Sequence, residues 1–222
     1  MTTSCSVYQN TILHVDMKTV AIISQKGGVG KTTLALHLAV AAERDGKTTV
    51  IIDLDPQASA ATWKDLRDDE TPVVQPAQVN RLDVILQEAE KQGAAFAVID
   101  TSPNSESASL AAARSADLVL IPCRPHLLDL KAIGSSIELA RLAKKPFAVV
   151  VNAVPPRGAL GSEADAAIST YDAPIAPVHL SMRAAYYHCL VNGQVAQEYE
   201  PTGKAGEEAF QLYKWVRKQV DM

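Results

Sequence analysis

Apolar residues in this chain fall into short unbroken blocks, separated by longer stretches in which apolar and polar residues recur with helical spacing. The blocks at 19–24, 49–53, 96–100, 118–122, 147–152 and 175–180 lack the alternation of a half-exposed strand. They predict strands covered by helices on both faces. Helical periodicity predicts helices at 32–44, 58–66, 81–91, 105–114, 128–143, 162–170, 183–191 and 206–220. Because the two element types alternate, the expected architecture is α/β: a mostly parallel, twisted sheet of βαβ units with helices on both faces. No internal repeat or low-complexity tract breaks the pattern. Residues 1–16 carry no periodicity and precede Met17, which stands directly before the first strand. They are expected to be a poorly ordered extension to a single domain over 17–222.

Composition narrows the class. At 222 residues and 47% hydrophobic content, the chain can bury one substantial core. No apolar run approaches the roughly 20 residues that span a bilayer, and the first 16 residues lack a secretory signal. A cytoplasmic protein is expected. Cys5, Cys123 and Cys189 are too far apart for a CxxC pair and read as free thiols. His14, His37, His126, His179 and His188 show no metal-ligand spacing. A net charge of -4 argues against coating nucleic acid through an overall basic surface, so any DNA contact must use a local patch.

The densest chemistry follows the first strand. Gln25, Lys26, Gly27, Gly28, Val29, Gly30, Lys31, Thr32 and Thr33 run from an apolar strand into a helix, the setting of a phosphate-binding loop. Glycines let backbone N–H groups turn inward around phosphate oxygens. Lys31 is placed to reach terminal phosphates, and the Thr32 hydroxyl to ligate magnesium. The alternative is a plain glycine-rich turn. Chance assembly of KGGxGKT at one start site is on the order of one in ten million, which sets that alternative aside.

Carboxylates end two of the predicted strands, where parallel sheets face their ligands. Asp53 and Asp55 lie in Ile51-Ile52-Asp53-Leu54-Asp55-Pro56-Gln57, and Asp100 closes Phe96-Ala97-Val98-Ile99-Asp100 ahead of Thr101-Ser102-Pro103. A turn or helix cap is an equal reading for Asp53. Asp100 is a candidate to hold a magnesium-bound water.

KGGVGKTT, with Gln25 where the common pattern has glycine and an added lysine at Lys26, resembles the deviant Walker A motif of the ParA/MinD superfamily. That resemblance covers 17–220 and implies a P-loop ATPase using ATP and Mg2+. By it, Lys26 acts across the interface of an ATP-bridged homodimer. Asp55 matches the second aspartate of a DxDPQ segment, orienting the attacking water near the metal, and Asp100 matches the Walker B aspartate. Ser102 departs mildly from the DTPP form. Leu120 to Pro125 with Asp129 is similar to a loop beside the dimer seam, and a proline-stiffened strand exit explains it almost as well. Asn152 matches an asparagine that hydrogen-bonds the adenine edge in relatives, although asparagine also caps turns.

Small ParA proteins fit best, which implies plasmid or chromosome segregation with a ParB-type partner and nonspecific DNA bound by the ATP dimer at the nucleoid. The candidate DNA contacts are Arg183, Lys214, Arg217 and Lys218, but Glu198, Glu200, Glu207 and Glu208 neutralise much of that region. Cations at a helix C-terminus are also explained by its dipole. Two other classes stay open here: a MinD-like membrane switch, disfavoured by Glu207 and Glu208 in the last helix, and an electron-transfer ATPase bridging a cluster through cysteines. Positioning of another cargo is a further alternative.

Overall fold

The computed structural model describes residues 16–222. Apart from Asp16, the expected extension lies outside the described residues, as do Cys5 and His14. Six strands form one wholly parallel sheet: β1 (Lys18–Ile22), β2 (Thr49–Asp53), β3 (Val73–Pro76), β4 (Phe96–Asp100), β5 (Leu118–Cys123) and β6 (Phe147–Val151), in the order β3-β2-β4-β1-β5-β6. The helices are α1 (Lys31–Arg44), α2 (Ser59–Asp65), α3 (Leu82–Lys91), α4 (Glu106–Ser115), α5 (Leu127–Ala143), α6 (Leu160–Ser169), α7 (Ala185–His188), α8 (Ala196–Tyr199) and α9 (Lys204–Gln219).

Strand pleat sorts the buried residues into two cores. Val20 and Ile22 point to the face covered by α1 and α9, while Ala21 and Ile23 point to the face covered by α3, α4, α5 and α6. Both faces are dry, so the central strands read as continuous apolar runs. The chain leaves β1 toward β2 at one side and later builds β5 and β6 at the other. Such a switch opens a crevice at the carboxyl ends of the middle strands.

Three expectations need correction. The strand expected at 175–180 is an extended segment joined to β6 and its following loop by isolated bridges, Val149 to Ile175 and Val154 to Ser181. Pro174 and Pro177 supply no N–H, so a continuous ladder cannot form. The helix expected at 183–191 breaks into α7 and a 3-10 turn, Cys189–Asn192. Strand β3 gave no periodic signal because it is a largely exposed edge strand ending in Pro76.

Helix α9 has an apolar side, and that side is buried: Leu212, Tyr213 and Val216 are fully covered against α1 and the sheet. Among the described residues no helix is long and apolar enough to cross a membrane.

Candidate functional site

The loop between β1 and α1 closes around glycines that only glycine accommodates readily. Gly28 and Gly30 have φ of 72° and 94°, in the left-handed region. Gly30 is the N-cap of α1, which has no side-chain cap and no acidic residue in its first turn. Its first amides therefore await an acceptor at the positive end of the helix dipole. Lys31 is buried, and its ammonium arches back to the Lys26 carbonyl at 3.4 Å. Burial lowers the Lys31 pKa, and the nearby Asp100 and Asp55 oppose that effect. Lys26 is exposed on the outer rim. The two lysines thus face different partners: Lys31 its own loop, Lys26 the outside.

Two carboxylates meet beneath the loop, because Asp53 and Asp100 are register neighbours on β2 and β4. They behave differently. Asp53 accepts from the N–H groups of Asp55 at 3.0 Å, Ala60 at 3.0 Å and Ala61 at 3.3 Å, so it caps α2 and shapes the loop carrying Asp55. Asp55 accepts from the Gln57 N–H at 2.9 Å and is only half-buried, on the loop that leaves β2. Asp100 is fully buried, and neither carboxylate oxygen has a hydrogen-bond partner. Burial pushes it up to about 7, reinforced by Asp53, while Lys31 and the Thr32 hydroxyl, close by but out of hydrogen-bonding geometry, pull the other way. Orphaned buried oxygens beside a lysine, a threonine and uncapped amides fit a site for a metal and phosphates. Among the described residues no three His, Cys, Asp or Glu side chains gather as a protein-only cage.

A cavity of about 290 Å³ adjoins the loop, lined by Gly28, Gly30, Thr33, Arg124, Asn152 and Tyr186 among others. Its size is at the low end for ligand pockets. Asn152 does not extend freely into it: Nδ2 donates to the Val29 carbonyl at 2.7 Å, and Oδ1 accepts from the Ala153 N–H at 2.8 Å. A larger cavity, about 420 Å³, lies between the end of α1 and the start of α9, lined by Ala41, Arg44, Gln197 and Phe210. It holds none of the loop or carboxylate residues, so volume is a poor guide to the chemistry here.

With this geometry, residues 20–190 match the CobQ/CobB/MinD/ParA nucleotide binding domain. The chain belongs to that family. A carboxysome distribution maintenance protein A from Gloeobacter kilaueensis is 30% identical over 208 residues, 92% of this chain and 94% of the relative. The sporulation initiation inhibitor Soj from Bacillus subtilis is 25% identical over 168 residues, covering 58% and 66%. In structure, an ATP complex of McdA from Cyanothece superposes with a TM-score of 0.76 at 17% identity, over 93% of this chain and 97% of that one.

Several buried contacts around and behind the loop had no signal in the sequence. Gln25 is braced from two helices: its N–H donates to Ser136 Oγ at 3.1 Å and its amide to Ser109 Oγ at 3.4 Å. Thr101 Oγ1 donates to the Ile22 carbonyl at 2.8 Å and ties β4 to β1. His37 on α1 is buried and held neutral, its pKa pushed down to about 4 by burial. Its Nδ1 lies 2.7 Å from the Thr33 carbonyl, and Nε2 accepts the Ala196 N–H at 3.0 Å. Cys123 and Cys189 are buried thiols, pushed up to about 12 and about 11 by desolvation.

Of the four candidate DNA contacts, Lys214, Arg217 and Lys218 share one face of α9, while Arg183 stands apart. Arg183 lines the loop cavity and pairs with Glu208 at 2.6 Å. Arg217 pairs with Asp45 at 2.7 Å. Lys214 lies over the Phe210 ring, 5.2 Å from its centre, and Lys218 is exposed near the end of α9.

Proposed function

We propose that this chain is an ATP-dependent positioning ATPase that works as a nucleotide-bridged homodimer with Mg2+. The observation that carries the proposal is the division of labour between two lysines, one turned into its own loop and one exposed beside it. In this reading the amides of Gly27, Gly28, Val29, Gly30, Lys31, Thr32 and Thr33 surround the phosphates, and Lys31 neutralises them. Thr32 would ligate the metal, with Asp100 and Asp55 placed to hold its waters. A bound magnesium ion would gather charge developing on the transferred phosphoryl group. Asp55 orients the attacking water, on a loop that Asp53 keeps in shape. Turnover by one subunit alone is slow, because Lys26 completes the site only from a partner copy.

Lys26→Ala is therefore expected to retain ATP binding while losing ATP-dependent dimerisation and turnover. Analytical ultracentrifugation of parent and variant, with ATP and with ADP, checks this. An ATP-independent profile in both proteins would remove the dimer.

Two cargo readings follow from the family. The motif resemblance supports plasmid or chromosome segregation through a ParB-type partner. The match to a carboxysome distribution protein along 92% of the chain supports a protein assembly as cargo instead, recruited through a different adaptor. A membrane-switch role is less well supported, since the apolar side of α9 is occupied by the core.

For DNA, two of the four cations are already paired, so one subunit offers little. Binding of unrelated duplexes is expected only in the ATP state, where a dimer doubles Lys214 and Lys218, and to fall steeply with salt. A filter-binding titration with ATP and ADP at several salt concentrations reads both. Equal retention in the two states, or none in either, would count against a nucleoid-associated protein.

A further inference from the structure

Asn152 stands at the end of β6, where its backbone N–H donates to the Cys123 carbonyl at 2.8 Å. The next residue, Ala153, adopts a φ of 53°, a left-handed conformation that alanine holds only when its surroundings impose it. That turn brings the Asn152 amide against the phosphate loop. Nδ2 donates to the Val29 carbonyl at 2.7 Å, and Oδ1 is engaged by Ala153 at 2.8 Å. Contact continues to the next residue: a Cβ built on Gly30 would lie 2.3 Å from Nδ2, closer than any side chain tolerates. A peptide unit is planar and trans, so fixing the Val29 carbonyl toward Asn152 turns the Gly30 N–H to the opposite side. Val29 itself is buried, 2% exposed, and has no freedom to compensate.

We infer that Asn152 is a positioning residue of the phosphate loop, with one Nδ2 hydrogen and one Oδ1 lone pair committed to the loop and its own turn. It acts through the Val29–Gly30 peptide, holding the Gly30 amide aimed at phosphate, and its amide leaves no room for a Cβ at position 30, whose φ of 94° already favours glycine. The inference rests on the nucleotide-site reading above and separates from it experimentally.

The full chain, its Asn152→Ala variant and its Asn152→Asp variant are titrated calorimetrically with ATP, GTP and inorganic tripolyphosphate, each with magnesium. A lost brace removes one hydrogen bond's worth of loop organisation, so Asn152→Ala should weaken all three probes, tripolyphosphate included, by roughly fivefold to tenfold. Asn152→Asp keeps the shape and the bond to Ala153 but sets a carboxylate against the Val29 carbonyl, so it should weaken all three at least as much. It reports even where the alanine variant folds poorly. Amide hydrogen exchange at Gly30 and Lys31 should accelerate in both variants without nucleotide. A loss confined to ATP, with tripolyphosphate binding untouched, would assign Asn152 to the base and overturn the inference, as would undiminished binding of all three. Failure of the parent chain to bind any probe would instead sink the nucleotide site, and this inference with it.

Discussion

Replacing Lys31 with alanine is expected to reduce ATP affinity by roughly a hundredfold, the loss of a charge-assisted contact worth about 3 kcal/mol. The cations beside the loop, Arg124 and Arg183, are already paired with Asp129 and Glu208. Lys26 is exposed on the rim, and the other loop groups are neutral amides and hydroxyls. The Lys31 ammonium also offsets part of the charge on buried Asp100, so its removal should lower apo stability as pH rises and Asp100 ionises. Isothermal titration with Mg-ATP, backed by a melting curve to show that the variant is folded, measures both effects. Parent-like affinity in a folded variant would mean that the loop does not bind phosphate.

The second large effect runs in the opposite direction for stability. Asp100→Asn should raise the melting temperature of the nucleotide-free protein at pH 8 while weakening its magnesium-dependent ATP binding. The Asp100 carboxyl is buried without a hydrogen bond, and its folded pKa, about 7, is above the ordinary 3.8. A folded pKa that is raised means that the native state binds the extra proton between those two values. The stabilising effect of the protonated form is complete below about pH 4 and is lost as pH climbs through 7. This cost is already net of the Lys31 attraction, and structural relaxation would reduce it further. Asparagine carries no charge at any pH, so the variant should show a flatter stability profile between pH 5 and 8. Thermal melts across that range, without and with Mg-ATP, read the trade. Identical pH profiles in parent and variant would show that Asp100 carries no such cost, and an undiminished magnesium requirement would remove it from the metal site.

This cost has a functional sense. In the proposed site a carboxylate left without partners in the free protein is a poor stabiliser and a good magnesium-site group, because a cation or its waters would satisfy it. Asp53, one strand away, shows the contrast. Three backbone amides engage it, and it serves the loop rather than a ligand.

What the sequence determined by itself was the contiguous and the periodic. Five of the six strands, the helices covering them and the phosphate loop were legible because burial on both faces writes unbroken apolar runs, and because the loop needs glycine at 28 and 30, where φ is positive. Asp55 and Asp100 were legible as carboxylates at strand ends. The edge strand β3 was not, since an exposed strand ending in proline carries no pattern. The 175–180 segment misled for the opposite reason: it is apolar because it lies along β6, but Pro174 and Pro177 deny it a ladder.

Only the tertiary structure decided what each polar side chain does once these elements pack. Asn152 reaches a loop more than a hundred residues earlier, Gln25 meets serines on α4 and α5, and Arg183 and Arg217 find Glu208 and Asp45. No local spacing encodes those pairings. They follow from where a folded sheet sets distant strand ends side by side, and from the cost of burying any polar group that finds no partner there.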